Sequence, residues 1–136
     1  GFYQGDIAQK LVEGVRKSGG IWSLKDLKTY QAIERKPITG YYKGMKITSA
    51  SPPSSGGIAL VTMLNILSAY DLEKESSTQQ THLIVEAMRR TYRDRADYLG
   101  DADFTDIPLK RLLSPYYADG LRASIRKDRA TPSTSL

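Results

Sequence analysis

The sequence predicts a mostly helical chain of the α/β class (an α+β segment) with one small β-hairpin or sheet. Apolar residues recur at helical spacing in several segments, whereas residues 38–49 are rich in β-branched and aromatic side chains. Hydrophobic residues make up 40% of the 136 positions, which is enough for the core of one domain. No run approaches the roughly 18 consecutive apolar residues of a membrane span, so we expect none.

Two helices are predicted near the start of the chain. Apolar residues at i,i+4 spacing mark the first, at Ile7, Leu11 and Val15. Gly19-Gly20 follows as a helix stop. Ser23, with Asp26 three residues later, has the pattern of a capping box and predicts a short helix to about Tyr30.

Extended structure is predicted next. Residues 32–36 are predicted to be extended, and Ile38–Tyr42 and Met45–Ser49 are predicted strands on either side of a Lys43-Gly44 turn. Such strands alone would form a small sheet with exposed edges, which can pair with other strands.

Four further helices are predicted, at residues 58–70, 81–99, 108–113 and 115–125. The first is apolar on several faces, as a buried helix is. The second is the longest and follows a polar loop over residues 71–80, with Ile84, Met88 and Tyr92 on one stripe. Pro108 and Pro115 would lie in the first turns of the last two helices, where proline is favoured.

Residues 51–57 read Ser-Pro-Pro-Ser-Ser-Gly-Gly and run directly into an apolar helix. The prolines restrict the backbone before the helix, and the glycines let another backbone or a ligand come close. The unpaired N–H groups of a helix start can hold a carboxylate, a phosphate or a developing oxyanion. A tight buried bend without a ligand fits the same pattern.

The candidate binding residues of this chain are therefore Ser54, Ser55, Gly56 and Gly57. A nucleophile elbow needs Gly-x-Ser-x-Gly, but Pro53 precedes Ser54, so we do not expect a primary nucleophile. The spacing of a phosphate-binding P-loop is also missing. We expect helix capping by one hydroxyl with close packing at the glycines, and the alternative is a share in shaping a substrate pocket.

The net charge is +5, with a pI near 9.4, but the basic residues are spread along the chain and we expect no nucleic-acid partner. The densest charged run, residues 89–97, mixes both signs. On a helix, Glu86 can pair with Arg90 in the favourable i,i+4 order, and Arg90–Asp94 and Arg93–Asp97 pair in the weaker order. This pattern predicts a solvated or intersubunit ion-pair face.

The remaining polar candidates have structural interpretations. His82, the one histidine, is expected at the surface or at a cap, and spacing does not favour a triad of Ser55, His82 and Asp94. Asp101 and Asp103 are expected to bond to loop backbone, because the acidic series lacks the EF-hand pattern; we expect no metal site.

Other side chains are predicted to be structural as well. Arg95 and Asp97 are expected in buried pairs. Four tyrosines are expected in the core or at an interface: Tyr92, Tyr98, Tyr116 and Tyr117.

Residues 52–57 followed by an apolar helix resemble the signature loop in the large subunit of gamma-glutamyltransferases, also called gamma-glutamyltranspeptidases or glutathione hydrolases. Further segments resemble the family in the same order, at residues 2–8, 19–20, 26–30, 34–38, 86–89 and 94–101. The resemblance extends to about Arg129, so that residues 1–128 are interpreted as the C-terminal part of the large subunit. Residues 129–136 are expected to form a flexible tail before the processing region.

The resemblance implies an N-terminal nucleophile (Ntn) hydrolase with an αββα sandwich, whose precursor cuts itself. The new N-terminal threonine of the small subunit then attacks gamma-glutamyl amides such as glutathione, and the gamma-glutamyl group passes to water or an amino acid. No Thr-Thr or Thr-His pair stands at the end of residues 131–136. The family's glutamate-binding arginine is expected upstream of Gly1. We therefore expect no catalytic residue in this chain, which alone would be inactive.

The expected partners are the small subunit and a gamma-glutamyl small molecule, and no cofactor is implied. Residues 54–57 would form part of the pocket wall. The apolar helix predicts a tendency of the isolated chain to dimerise. Bacterial members of the family are usually periplasmic or extracellular, although no signal peptide is visible. The alternative is a noncatalytic binding or structural module that has the fold without the nucleophile, and the sequence after Leu136 would distinguish the two.

Overall fold

The computed structural model describes residues 1–136, which form two compact units, Gly1–Glu34 and Arg35–Leu136. The predicted fold class is confirmed, since the chain is mostly helical with one two-stranded antiparallel sheet. The main elements are α1 (Asp6–Lys17), α2 (Leu24–Thr29), β1 (Ile38–Tyr42), β2 (Met45–Ser49), α3 (Gly56–Leu67), α4 (Ser77–Tyr98), α5 (Leu109–Leu112) and α6 (Pro115–Ala123). Short 3₁₀ turns occupy Leu72–Lys74 and Ser133–Ser135.

The first unit contains the two predicted helices. Its small core consists of Ala8 and Val12 from α1 and Leu27 from α2. The predicted capping box is confirmed: the Ser23 N–H donates to Asp26 Oδ2 at 2.7 Å, and the Asp26 N–H donates to Ser23 Oγ at 3.3 Å. These bonds satisfy donors that a helix start leaves unpaired, which fixes where α2 begins.

The hairpin of the second unit has the predicted strands and turn. β1 and β2 pair antiparallel, from Ile38 opposite Ser49 to Tyr42 opposite Met45. Both turn residues have positive φ, 46° at Lys43 and 79° at the following glycine. Farther along β1, a Cβ on Gly40 would lie 2.7 Å from a methyl group of Val61 in α3, so this glycine lets the strand lie close to the helix.

α3 is the central helix of the second unit, and its predicted burial is confirmed over most of its faces. Near its start it packs in one cluster with β1 and α5, formed by Ile38, Ile58, Val61 and Leu112. Near its end it packs in a second cluster with α4 and α6, formed by Ile66, Leu67, Leu83, Ala87, Ala118 and Leu121. The two clusters place the start of α3 against the hairpin.

α4 starts at Ser77, earlier than predicted, because the Ser76 side chain caps it by accepting from the Gln79 N–H at 3.2 Å. Its buried face is partly charged, formed by Leu83, Glu86, Ala87, Arg90, Thr91 and Asp94. The stripe of Ile84, Met88 and Tyr92 instead lies on the exposed side. Apolar spacing therefore does not mark the buried face of this helix.

The prediction of a solvated or intersubunit ion-pair face is wrong for Glu86 and Arg90. Glu86 and Arg90 do pair, at 2.6 Å, but both side chains are only 1% exposed. Arg93 bonds to the adjacent Asp94 at 2.6 Å instead of Asp97. Glu86 and Arg90 are buried because donors and acceptors from distant segments form hydrogen bonds with them there.

The last two helices begin at or just after the prolines that predicted them. α5 is shorter than predicted and begins after Pro108, whereas α6 has Pro115 at its first position. The guanidinium carbon of Arg111 lies 5.1 Å from the ring centre of Tyr98 and 4.7 Å from that of Tyr117. Tyr92 and Tyr116 are exposed rather than in the core of this chain. None of the helices is long and apolar enough to cross a membrane.

Candidate functional site

The candidate site is the loop between β2 and α3, which contains all four predicted binding residues, Ser54 to Gly57. Pro52 is buried and the Pro52–Pro53 peptide bond is cis. A turn follows, in which the Ser54 N–H donates to the Ser51 carbonyl at 3.1 Å. The loop therefore reaches the helix start along a defined path rather than as an open coil.

The capping hydroxyl belongs to Ser54, whose exposed Oγ accepts from the Gly56 N–H at 3.3 Å. Ser55 occupies the N-cap position with helical angles, φ −79° and ψ −17°, and its side chain makes no capping bond. The Gly56 N–H is thus already engaged within the protein. A substrate oxygen could use it only by displacing Ser54 Oγ.

The two glycines of the loop have different roles. A Cβ on Gly57 would lie 2.2 Å from the carbonyl oxygen of Ala50 and 3.2 Å from Cβ of Ile38, so no larger residue fits. A Cβ on Gly56 would meet only Ser54 Oγ, at 3.5 Å, which is an ordinary contact. Close packing therefore requires the second glycine, and the exposed first one faces open space.

An arginine joins the loop from α4. Arg95 Nε donates to Ser55 Oγ at 3.2 Å, and both groups are at least partly accessible. The predicted burial of Arg95 and Asp97 is wrong, because both lie on the exposed side of α4. Arg95 and Ser55 are separated by 40 residues, so no local spacing in the sequence indicated this contact.

Polar groups also lie behind the loop, in the interface between α3 and α4. Asp94 Oδ1 accepts from Arg93 Nε at 3.1 Å and Nη2 at 2.6 Å, and the Thr62 hydroxyl donates to the Leu112 carbonyl at 3.0 Å. Burial, a hydrogen bond to Asp94 and the charge of that carboxylate raise the pKa of the Tyr117 hydroxyl. Two buried polar atoms here, Asp94 Oδ2 and Thr91 Oγ1, have no protein partner.

A second polar cluster holds the C-terminal segment against α4. Glu86 accepts from Arg90 Nη1 at 2.6 Å, from Arg89 Nη1 at 2.8 Å and from the Thr131 N–H at 3.1 Å. Burial alone would raise the pKa of Glu86, but the hydrogen bonds from Thr131 and Arg90 outweigh it and hold that pKa at about 2. That residues 129–136 form a flexible tail stays a prediction, and Thr131 and Ser133 contact α4 through Glu86, Arg89 and Arg90.

No catalytic triad is assembled from the residues weighed in the sequence. His82 Nε2 lies 2.7 Å from the Arg126 carbonyl, while Ser55 bonds Arg95 and Asp94 bonds Arg93. The expected loop role of Asp101 is confirmed, since its Oδ1 accepts from the Asp103 N–H at 3.0 Å. No group of three or more metal-binding side chains comes together in the chain.

The chain is similar to known proteins along its whole length. The gamma-glutamyltranspeptidase family model matches residues 1–136. The glutathione hydrolase proenzyme of Escherichia coli (strain K12) is 39% identical over 137 residues, and that of Pseudomonas sp. (strain A14) is 42% identical over 138 residues. These alignments cover 99% and 100% of this chain but 24% of each relative, so the chain spans about a quarter of their length.

Solved structures are similar to this chain as well. The crystal structure of Helicobacter pylori gamma-glutamyltranspeptidase superposes with a TM-score of 0.87 and 41% identity, covering 99% of this chain and 39% of that one. A Bacillus halodurans cephalosporin acylase superposes with a TM-score of 0.80 and 26% identity over 92% of this chain and 23% of that one. By sequence and by fold, the chain belongs to the gamma-glutamyltranspeptidase family.

Proposed function

We propose that the protein containing this chain is a gamma-glutamyltransferase. It cleaves gamma-glutamyl amides such as glutathione and transfers the gamma-glutamyl group to water or to an amino acid. The observation that carries this proposal is the similarity to glutathione hydrolase proenzymes, at 39% and 42% identity over essentially every residue of the chain.

The proposed chemistry uses a threonine outside this chain as the nucleophile. Its hydroxyl attacks the gamma-glutamyl carbonyl while its own free α-amine takes the proton, and this proton then passes to the amine of the substrate as that amine leaves. The resulting gamma-glutamyl ester is then attacked by water or by an amino acid, which restores the hydroxyl. Nothing in this chain has to react, which is consistent with the bonds that already engage Ser54, Ser55 and His82.

Within that enzyme the chain would supply core helices and strands of an αββα sandwich, together with part of the wall of the substrate pocket. The proposed wall is residues 54–57. Two observations support it: Ser54 and Gly56 are exposed at the start of α3, and Arg95 adds a positive charge beside that helix start. A helix N-terminus and a guanidinium both favour an anionic group, such as a substrate carboxylate.

The proposed partner is the small subunit that carries the threonine. The curated relatives are named proenzymes, which supports a precursor that is processed into subunits. We further propose that residues 129–136 lead toward the processing region, and that the isolated chain dimerises through apolar surface that the rest of the enzyme would cover. A periplasmic or extracellular location follows from the same proposal.

The test of the activity is turnover of a chromogenic gamma-glutamyl anilide by the purified full-length protein. The proposal predicts release of the aniline, transfer of the gamma-glutamyl group to water or to an added amino acid, and loss of both when the N-terminal threonine is replaced by alanine. A protein that binds but never cleaves the anilide would instead be the noncatalytic module.

The wall is tested separately with glycine substitutions. Gly56→Ala places a methyl group on the exposed side of the loop, where the protein has room for it. A Cβ on Gly120 in α6 also meets nothing within 4 Å, so Gly120→Ala is the matched control. We expect Gly56→Ala to raise KM for the anilide and Gly120→Ala to leave it unchanged. Equal KM values in both variants would remove Gly56 from the pocket.

A further inference from the structure

The C-terminal segment is bound to one turn of α4 by two arginines. Arg89 Nη1 donates to the Thr131 carbonyl at 2.6 Å, and Arg89 Nη2 donates to Ser133 Oγ at 3.0 Å. Arg90 Nη2 donates to Thr131 Oγ1 at 3.0 Å. These bonds hold a backbone group and two side chains, so they fix the path of the chain at residues 131–133.

Glu86 completes the contact with Thr131. The Thr131 N–H donates to Glu86 Oε1 at 3.1 Å, and the Thr131 hydroxyl donates to Glu86 Oε2 at 2.5 Å. The N–H, the carbonyl and the hydroxyl of Thr131 therefore all bond to α4. Each of these bonds has a charged partner, and such hydrogen bonds are roughly twice as strong as bonds between neutral groups. We call Glu86, Arg89 and Arg90 the α4 anchor.

The α4 anchor is part of the packed interior of the second unit. The side chains of Glu86 and Arg90 are each 1% exposed. Arg90 Nε also donates to the Leu121 carbonyl in the last turn of α6, at 2.9 Å. The groups that hold Thr131 are thus themselves held in place, which makes this contact a fixed point of attachment.

The residues on either side of Thr131 are exposed. Residues 126–130 and 132–135 lie at the surface, and Thr131 is the one residue of this stretch that is partly buried. Such a stretch buries too little apolar area for packing to determine its course. Its course depends instead on its polar contacts, and those with the α4 anchor involve three charged side chains.

We propose that Glu86, Arg89 and Arg90 are positioning residues for self-cleavage. By fixing residues 131–133 on α4, they set the point from which the following chain extends to the cleavage site. The inference rests on the proposed function, in which residues 129–136 lead toward the processing region. A fixed starting point shortens the mobile chain before the scissile bond, and a shorter connection raises the effective concentration of that bond at the site where it is cut.

None of the three residues has to touch the reacting atoms. The cleavage consumes one water molecule and converts the peptide bond before the threonine into a carboxylate and a free α-amine. Once the bond is cut, the α4 anchor has no further part in the turnover of gamma-glutamyl substrates. Loss of the anchor should therefore slow self-cleavage and leave turnover by the cleaved enzyme unchanged.

The test is Arg89→Met in the full-length protein, purified before cleavage is complete and followed by intact mass over time. Methionine keeps an unbranched side chain but removes all the donors. We expect the uncut polypeptide to disappear about tenfold more slowly than in wild type, and the cleaved fraction to turn over the gamma-glutamyl anilide with the wild-type kcat and KM. Thr131→Val, which removes the hydroxyl on the other side of the contact, should also slow cleavage.

Arg122→Met is the matched control. The side chains of Arg122 and Arg89 are 22% and 24% exposed, and each pairs with a carboxylate three residues before it. Arg122 also donates to the carbonyls of Asn65 and Ile66, and not to residues 129–136. The control should therefore cleave within about twofold of the wild-type rate.

Wild-type cleavage rates in both Arg89→Met and Thr131→Val would overturn this inference and leave the proposed function intact. Equal slowing of cleavage and of turnover in Arg89→Met would also overturn it, because general destabilisation affects both. A wild-type protein that never cuts itself would contradict the proposed function, and this inference with it.

Discussion

Replacing Glu86 by glutamine would break the most buried ion pair of the chain. The carboxylate and its partner Arg90 are each 1% exposed, and the same carboxylate also accepts from Arg89 and from Thr131. Glutamine keeps the size of the side chain but turns one acceptor into an NH₂ group that faces donors. The variant therefore leaves Arg90 as a buried cation without its counterion and weakens the attachment of the C-terminal segment.

The magnitude of the loss follows from the low pKa of Glu86. Its pKa is about 2 in the folded chain compared with an ordinary value of 4.5. At 1.36 kcal/mol for each pH unit, this difference corresponds to about 3 kcal/mol of stabilisation by the charged form. Removing one partner of a buried ion pair costs about 3–5 kcal/mol in general, so the two arguments give the same range.

The measurement is amide hydrogen exchange of the full-length protein, followed in peptides from α4 and from residues 128–136. A loss of about 3 kcal/mol accelerates exchange roughly a hundredfold where local opening controls it. Glu73→Gln is the matched control, because Glu73 pairs with Lys43 while its side chain is 86% exposed. Such a surface pair contributes less than about 1 kcal/mol.

Similar exchange rates in Glu86→Gln and Glu73→Gln would refute this reasoning. They would mean that the cost of burying the charges of Glu86 and Arg90 cancels the attraction between them. The low pKa of Glu86 predicts instead that the attraction and the hydrogen bonds are larger than that cost.

Two further predictions follow from the same residues and from the loop. Because folding lowers the pKa of Glu86, the stabilisation by its carboxylate is complete above about pH 4.5 and declines as the pH falls toward 2. The difference in melting temperature between wild type and Glu86→Gln should therefore shrink over that interval, and a constant difference would contradict this linkage. Gly57→Ala forces a Cβ to 2.2 Å from the Ala50 carbonyl oxygen and should lower the melting temperature and soluble yield, with a cost of about 3 kcal/mol or more. Gly56→Ala meets only an ordinary contact and should stay within about 1 kcal/mol of wild type; equal losses in both variants would show that packing does not distinguish the two glycines.

Local sequence patterns predicted the elements that short-range contacts determine. The capping box of Ser23 and Asp26, the Lys43-Gly44 turn and the all-round apolar α3 are each decided by residues close together in the chain. The loop of residues 51–57 was found in the same way, because prolines and glycines before an apolar run indicate a constrained helix start.

The buried face of α4 could not be predicted from spacing. Helical periodicity identifies Glu86 and Arg90 as neighbours, but it does not show whether water or protein surrounds them. Their environment is set by Thr131, which is 45 residues from Glu86, and by the Leu121 carbonyl, which accepts from Arg90 at 2.9 Å. The contact of Arg95 with Ser55 is equally distant in sequence. Charged residues are thus buried where tertiary partners form hydrogen bonds with them, whereas the apolar side chain of Ile84 is exposed.

Self-cleavage is the property that most directly separates a gamma-glutamyltransferase from a noncatalytic relative with the same fold. The measurement is the intact mass of the purified full-length protein after incubation, with sequencing of any new N-terminus. The proposed function predicts two fragments, of which the larger contains this chain and the smaller begins with threonine. A single uncut polypeptide, or a fragment that begins with another residue, would contradict it and leave the binding or structural module as the function of this family member.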